Sequence, residues 1–228
     1  MNGLQVEGAS DIKKIIGAVD INDAVIEYAI SQKADTIIVH HGFFWGKPLA
    51  VEGVLRERIK KLLMHNINLY AVHLPLDMHP VLGNNIAIMN ALGIHDTMPL
   101  ADWGGFPMGV VGSFATPQPV EALKQALVAR FGTLKHEHCT RDTISTVGVI
   151  TGDAFSVMDD VLRSPIDLFI SGEFTHAMYF PFVESGKSGL FLGHYASEKG
   201  GIQALCSHLI ERYGNDIQVQ FFEHDSGL

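Results

Sequence analysis

The stretch Thr36-Ile37-Ile38-Val39-His40-His41-Gly42 sets three apolar β-branched residues directly before two histidines and a glycine. Such a run predicts a strand that is buried on both faces, as in a parallel sheet. Ligands of open α/β sheets collect just beyond the carboxyl ends of the strands, which makes both histidines candidate ligands. Neighbouring residues of a strand point to opposite faces, so we expect a turn at Gly42 to bring the two rings together. The pair also fits two packed or solvated histidines at a strand end.

Composition limits the class of protein to which these 228 residues belong. The chain is 47% hydrophobic and 18% charged, as in soluble globular proteins. Its formal net charge of −9 argues against a general binder of nucleic acid or of anionic membranes. The two cysteines, Cys139 and Cys206, do not make a disulfide framework, and no apolar stretch approaches the roughly 18 residues that span a bilayer. We therefore expect a cytoplasmic protein with no nucleic-acid or membrane partner.

On both sides of this first stretch, predicted strands alternate with predicted helices. That order is typical of an α/β fold with mixed, largely parallel sheets covered by helices. A segment rich in Gly and Pro, residues 99–112, is interpreted as the join between two halves, 1–100 and 101–228. The predicted strands are 13–19, 36–39, 68–72, 147–150, 167–170, 189–192 and 217–222. The predicted helices are 24–29, which follows cap-type residues at 20–23, then 53–65, 84–92, 119–131, 154–162 and one that follows His194.

The two halves resemble each other, which favours two similar α/β domains that arose by duplication over a chance match between two βαβ units. The segment 17–41, a strand, a helix and a strand that starts after Asp35, matches the segment 148–173, in which the second strand starts after Asp167. Further on, residues 69–77 match residues 190–198. That alignment sets His73 against His194 and Asp77 against Glu198. Each half thus ends two strands in residues of the metal-ligand type.

His194 and Glu198 are four residues apart, so both project from one face if a helix starts near Tyr195. That spacing fits either a surface pair or two metal ligands. Asp77, which follows Pro75 in a predicted loop, can also cap a turn. Three histidines and two carboxylates at the ends of neighbouring strands suit two divalent ions of the Zn, Fe or Mn type. The predicted metal ligands are His40, His41, Asp77, His194 and Glu198.

Two further residues, His73 and Glu173, lie at predicted strand ends in the same region and are the candidate catalytic residues. Either residue can move protons, and either can orient a metal ligand through a hydrogen bond. Structural roles for both residues also remain open.

Five motifs in register resemble the family of GTP cyclohydrolase 1 type 2 homologs, also known as the Ngg-interacting-factor-three-like family. They are Asn2-Gly3-Leu4-Gln5-Val6-Glu7-Gly8, Ile38-Val39-His40-His41-Gly42, His73-Leu74-Pro75-Leu76-Asp77 with Leu82-Gly83-Asn84-Asn85, Ser171-Gly172-Glu173, and Gly193-His194 with Ser197-Glu198. The resemblance implies two intertwined α/β domains with a dinuclear metal site between them, and a homohexameric ring of dimers. It also implies that His40 and His194 hold one ion, that His41 and Asp77 hold the other, and that Glu198 bridges both.

The family label implies a metal-dependent hydrolase that acts on a nucleotide, with attack at C8 of the purine and loss of formate. The sequence shows no glycine loop or arginine cluster that identifies guanine or triphosphate. The alternative is therefore a metal-binding regulatory or scaffold protein without catalytic turnover. For assembly, we expect an apolar interface built from large side chains in irregular stretches, namely Phe43, Phe44, Trp45, Phe180 and Phe182.

Overall fold

The computed structural model describes residues 2–132 and 134–227, which form an α/β fold with two mixed sheets covered by helices. The strands are β1 (Gly3–Val6), β2 (Lys14–Asp20), β3 (Thr36–His41), β4 (Asn68–Ala71), β5 (Thr97–Trp103), β6 (Phe106–Pro119), β7 (His136–His138), β8 (Thr143–Ile150), β9 (Leu168–Ser171), β10 (Ser188–Phe191) and β11 (Gln218–Phe221). The helices are α1 (Asp23–Ser31), α2 (Gly53–Met64), α3 (Leu74–Asp77), α4 (Asn84–Ala91), α5 (Val120–Phe131), α6 (Met158–Arg163), α7 (His176–Glu184) and α8 (His194–Tyr213). Within the described ranges, every helix is too short or too polar to cross a membrane.

The chain divides into two compact units. The first unit comprises Met1–Leu76 and Gly201–His224, and the second comprises Asp77–Gly200 and Asp225–Leu228. The predicted halves, 1–100 and 101–228, overlap these units only in part. The C-terminal segment returns to the first unit because β11 pairs in parallel with β2, with Gln218 opposite Lys14.

The sheet of the first unit has the strand order β1-β4-β3-β2-β11, and only the edge strand β1 is antiparallel to its neighbour. Ile16, Ile37 and Leu69 lie on adjacent strands and are fully buried, as predicted for a parallel sheet covered by helices. At the start of α1, the Asn22 side chain accepts a hydrogen bond from the Val25 backbone at 3.1 Å, which caps the helix.

Two predictions about the first unit were wrong. β3 does not stop before the histidines but runs through His41, so both histidines belong to the strand. Gly42 serves close packing, because a Cβ at this position would meet the Gln5 side chain and lie 2.7 Å from the Ala71 Cβ. In α2, Leu62 is buried, whereas Val54 and Leu63 are exposed.

The sheet of the second unit has the strand order β5-β6-β8-β9-β10-β7, with β8, β9 and β10 parallel. The predicted join at 99–112 was wrong, because these residues belong to the antiparallel hairpin of β5 and β6. The two residues at its tip have positive φ, 63° at Gly104 and 90° at Gly105, which a two-residue turn of type I′ requires. A Gly-Gly pair between two runs of strand type was the available sequence signal.

Two helical segments of the second unit also differ from the prediction. The helix predicted over 154–162 is a 3-10 turn, Phe155–Val157, followed by α6. Phe180 and Phe182, placed in an irregular stretch from the sequence, belong to α7, which contains Pro181. Phe182 is fully buried in the core of the second unit, whereas Phe180 is 60% exposed.

Hydrogen bonds at matching positions support the duplication. In the first unit, one carboxylate oxygen of Asp35 accepts from the backbone N–H groups of Lys13 and Lys14, both at 2.8 Å. In the second unit, Asp167 accepts from the corresponding groups of Ser145 and Thr146, both at 3.0 Å. Each aspartate precedes a strand that has a parallel neighbour on both sides, β3 in the first unit and β9 in the second. The same connection, with an antiparallel strand at the same edge, is therefore built twice.

Candidate metal centre

His40 is completely buried at the carboxyl end of β3, and its Nδ1 lies 2.9 Å from the Val72 carbonyl oxygen. A carbonyl oxygen only accepts hydrogen bonds, so Nδ1 carries the proton and donates it. The lone pair of the neutral ring is then on Nε2. This is the arrangement of most metal-binding histidines, whose second ring nitrogen donates to a carbonyl or a carboxylate.

His41 is held in the same way by a charged acceptor. Its Nδ1 lies 2.7 Å from Oδ1 of Asp20, the last residue of β2. The pairing of β2 with β3 sets Asp20 directly opposite His41, so the register of the sheet fixes this contact. Although the two histidines are neighbours in a strand, their ring centroids are only 4.6 Å apart.

His73, which follows β4, completes a group of three imidazoles in the first unit. Its ring centroid lies 4.9 Å from that of His40, 5.3 Å from that of His41 and 4.8 Å from that of Trp45. One ring nitrogen from each of the three histidines lies within 4.8 Å of the other two. Imidazole nitrogens at such distances suit a transition-metal ion.

In the second unit, β10 leads into α8, whose first residue is His194. His194 Nε2 lies 3.0 Å from Oε2 of Glu198, one turn along the helix, as the spacing predicted. Its Nδ1 lies 2.6 Å from Oε1 of Glu173, so Glu173 orients the ring. Burial acts to lower the pKa of His194, but the hydrogen bonds and charges of Glu198 and Glu173 outweigh it and raise the pKa to about 9. A metal ion at Nε2 must therefore displace a firmly held proton.

Glu198 is only 3% exposed, and small residues make room for its carboxylate. Gly152 has a φ of 65°, and a Cβ at this position would meet Glu198 Oε1. Ser197 joins this backbone to the helix, because its Oγ accepts from the Gly152 N–H at 3.0 Å and donates to the His194 carbonyl at 2.8 Å. A larger residue at position 152 would thus displace the carboxylate.

Asp77 is buried in the second unit within a network that the sequence reasoning missed. Its Oδ1 accepts from Asn84 Nδ2 at 2.8 Å and from Thr151 Oγ1 at 3.2 Å. Asn85 donates to the Asp77 carbonyl at 3.1 Å and accepts from the Thr151 N–H at 2.9 Å. Asn84, Asn85 and Thr151 are buried as well, so they fix the orientation of the carboxylate. The available signal was the pair of asparagines after Gly83, which is unusual inside a core.

The structure therefore gathers His40, His41 and His73 in the first unit, and His194, Glu198 and Glu173 in the second. Asp77 is held in the second unit by Asn84 and Thr151. Buried His, Asp and Glu side chains of this kind can hold a metal ion. The assignment of five of these residues as ligands, and of His73 and Glu173 as catalytic residues, stays a prediction.

Comparisons with known proteins agree with the family resemblance of the motifs. A GTP cyclohydrolase 1 type 2 homolog from Pasteurella multocida (strain Pm70) is 42% identical over 229 residues, which cover 99% of this chain and 90% of that protein. The homolog from Escherichia coli (strain K12) is 38% identical over 97% of this chain and 88% of that protein.

Solved structures show the same fold. The protein ybgI, described as of unknown function, superposes with a TM-score of 0.88 at 36% identity, over 100% of this chain and 91% of that one. A protein from Thermus thermophilus superposes with a TM-score of 0.87 at 33% identity, over 100% of this chain and 90% of that one. The family model Duf34/NIF3 (NGG1p interacting factor 3) matches residues 1–226, so this chain belongs to the Duf34/NIF3 family.

Proposed function

We propose that this protein holds two divalent metal ions and is a metal-dependent hydrolase that acts on a nucleotide. The observation that carries the proposal is the shared arrangement of three histidines. His40, His41 and His194 each have Nδ1 against a carbonyl or carboxylate acceptor. Each ring can therefore present Nε2 to a metal ion in a fixed orientation.

Five residues are proposed to hold the ions. Following the family resemblance, His40 and His194 bind one ion, His41 and Asp77 bind the other, and Glu198 binds both. This donor set of imidazoles and carboxylates suits Zn, Fe or Mn, and five ligands leave coordination positions for water and substrate. When bound, such a pair of ions lowers the pKa of water and neutralises the negative charge that develops in hydrolysis.

The remaining residues are proposed to orient groups and to move protons. Glu173 fixes the His194 ring through the 2.6 Å contact to Nδ1. Asn84 and Thr151 hold the Asp77 carboxylate. His73, whose ring lies beside those of His40 and His41, is proposed to accept or donate a proton during hydrolysis.

Nucleotides are the proposed substrate class because the relatives of 42% and 38% identity are GTP cyclohydrolase 1 type 2 homologs. The test is a turnover assay of metal-loaded protein against GTP and a panel of other nucleotides and phosphoesters, with Asp77→Ala as the comparison. We expect at least one nucleotide to be hydrolysed much faster by the wild type than by Asp77→Ala. Equal rates for the whole panel, at full metal occupancy of the wild type, would contradict the hydrolase and favour a regulatory metal-binding protein.

A further inference from the structure

A cavity of about 620 Å³ lies wholly within the second unit, with His194 in its wall. Small-molecule sites have volumes of roughly 300–1,000 Å³. We propose that this cavity binds a planar heteroaromatic ring that carries an anionic group, as a nucleotide does. The proposal rests on the proposed function, because His194 is one of the proposed metal ligands. The side chains that carry the inference are Lys135, His136, Glu173, Phe174, Thr175 and His194.

A cluster of three aromatic rings forms one wall of the cavity. The centroids of Phe174 and Phe191 are 4.4 Å apart with an interplanar angle of 27°, and those of His136 and Phe174 are 4.7 Å apart at 18°. Phe191 is buried and packs at steep angles against Phe169 and Phe182 of the core. His136 also lies 5.9 Å from Phe191, so the three rings form one cluster that joins the core to exposed His136. Aromatic surfaces of this kind select planar rings, and they tolerate different bases.

The same cavity holds a cation and a hydroxyl group. Lys135 Nζ donates to the Gly227 carbonyl at 2.9 Å, and its ammonium group carries two further N–H donors. The Oγ1 atom of Thr175 is buried and has no hydrogen-bond partner among residues 2–132 and 134–227. A buried hydroxyl of this kind is normally satisfied by water or by a ligand. Both side chains can therefore donate to the oxygens of an anionic group.

The local charge of the cavity favours an anionic ligand, although the chain as a whole does not. The chain as a whole carries a formal net charge of −9, so an anion is not attracted by the protein in general. Glu173 also lines the cavity, but its carboxylate is engaged by the His194 ring at 2.6 Å. Lys135 thus supplies the local positive charge. A planar ring without an anionic group cannot make the contact with Lys135. Inorganic phosphate can make that contact but cannot stack on the aromatic rings.

The test is isothermal titration of the purified protein, whose metal content is measured beforehand, with GMP, guanosine and inorganic phosphate. We expect Phe174→Leu to weaken the binding of both GMP and guanosine by about tenfold or more. Lys135→Gln should weaken GMP by a similar factor and leave guanosine unchanged. The matched controls, Phe155→Leu and Lys60→Gln, change exposed residues outside the cavity and should bind as the wild type does.

Thermal melting checks that Phe174→Leu is folded, and Thr175→Val provides a second variant of nearly equal size that should weaken GMP. Absence of GMP binding at millimolar concentration, or equal affinities in Phe174→Leu, Lys135→Gln and the wild type, would overturn the inference. If those variants bind GMP normally while Asp77→Ala abolishes turnover, this inference fails and the proposed function stands. If GMP binds as expected but nothing is hydrolysed at full metal occupancy, the cavity stands and the hydrolase fails.

Discussion

The three histidines that carry the proposal differ in the acceptor that holds Nδ1. His40 donates to a neutral carbonyl, whereas His41 and His194 face the carboxylates of Asp20 and Glu173. A carboxylate makes the imidazole a more basic ligand than a carbonyl does, because its charge stabilises positive charge on the ring. We therefore expect Glu173 to fix the orientation of the His194 ring and to raise the affinity of its Nε2 for a metal ion.

That dependence predicts the effect of changing Glu173. Glu173→Ala should weaken metal binding by about 10- to 100-fold, as is typical when the partner of a ligating histidine is removed. Glu173→Gln should lie between Ala and wild type, since its amide oxygen still accepts from Nδ1 but carries no charge. Glu184→Ala, an exposed glutamate at the end of α7, is the control. Competition with a chelator of known affinity measures the constants, and an unchanged constant in Glu173→Ala would exclude the orienting role.

Glu198 is predicted to matter more than any other ligand. If it binds both ions, its loss removes one contact from each ion and reduces the negative charge between them. We expect about two metals per chain in wild type, about one in His40→Ala and in Asp77→Ala, and less than one in Glu198→Gln. Elemental analysis at a fixed pH gives these values. A Glu198→Gln protein that keeps the wild-type metal content would rule out the bridging role, and with it the two-ion arrangement.

At the scale of elements, β2 and α8 approach each other closely within the first unit. A Cβ at Gly17 would meet Cys206 Sγ and lie 3.1 Å from Ile202 Cγ2. Gly17→Ala should therefore lower the free energy of unfolding by about 1–3 kcal/mol, as overpacking of a core does. Adding Cys206→Ala removes the sulfur and should recover part of that loss. Urea unfolding of both single variants and the double variant measures the coupling, and additive losses would contradict the steric explanation.

Cys206 also gives the first unit a pH dependence. Burial raises the pKa of its thiol from 9.0 to about 11. As pH rises, the unfolded chain therefore loses this proton before the folded chain does. The stabilisation is complete below about pH 9, declines as pH rises to about 11, and amounts to roughly 3 kcal/mol at most. Urea unfolding from pH 8 to 10.5 should show a steeper decline in wild type than in Cys206→Ala, and parallel curves would refute this.

Periodicity and strand-end chemistry sufficed to predict most elements, because burial of a parallel sheet leaves a local pattern. The strand before Asp20 and the helix after Asn22 were found in this way. The wrong predictions have two different causes. The Gly104-Gly105 pair is a local hairpin signal that was interpreted as a join between halves. Phe182, in contrast, is buried because α7 packs on a core built from distant strands, which no local pattern shows.

The candidate site likewise combines contacts that a local sequence pattern predicts with contacts that it does not. Spacing alone predicted the contact of His194 with Glu198, since one helical turn separates them. The network of Asn84, Asn85 and Thr151 around Asp77 joins positions up to 74 residues apart, and no local pattern encodes it. Asp20 was likewise missed, because its contact with His41 follows from the register of two strands.

At the scale of the whole molecule, duplication explains why the proposed ligands come in two sets. Each unit repeats three parallel strands with an aspartate at the same position, Asp35 in the first and Asp167 in the second. The repeated scaffold carries His40 and His41 in one unit, and His194 and Glu198 in the other. The backbone contacts of the two aspartates recur, whereas the side chains at the strand ends differ, so one scaffold presents two different sets of donors.

Exposed aromatic side chains argue that the chain assembles into oligomers. Phe43 and Phe182 are buried within their own units and are therefore unsuited to an interface. Trp45 and Phe180 are 55% and 60% exposed, and large apolar groups at a surface favour association. We predict a homohexamer, a ring of dimers, whose mass is about 149 kDa, six times the 24.9 kDa of one chain. Light scattering at micromolar concentration measures this mass.

Trp45→Lys and Phe180→Lys should each lower the mass, because a charge buried without a partner opposes association. Glu184→Lys, which changes the charge at an already polar position, should leave the mass unchanged. A wild-type mass of 24.9 kDa would contradict the assembly, and a hexamer unaffected by both lysine variants would place the interface elsewhere.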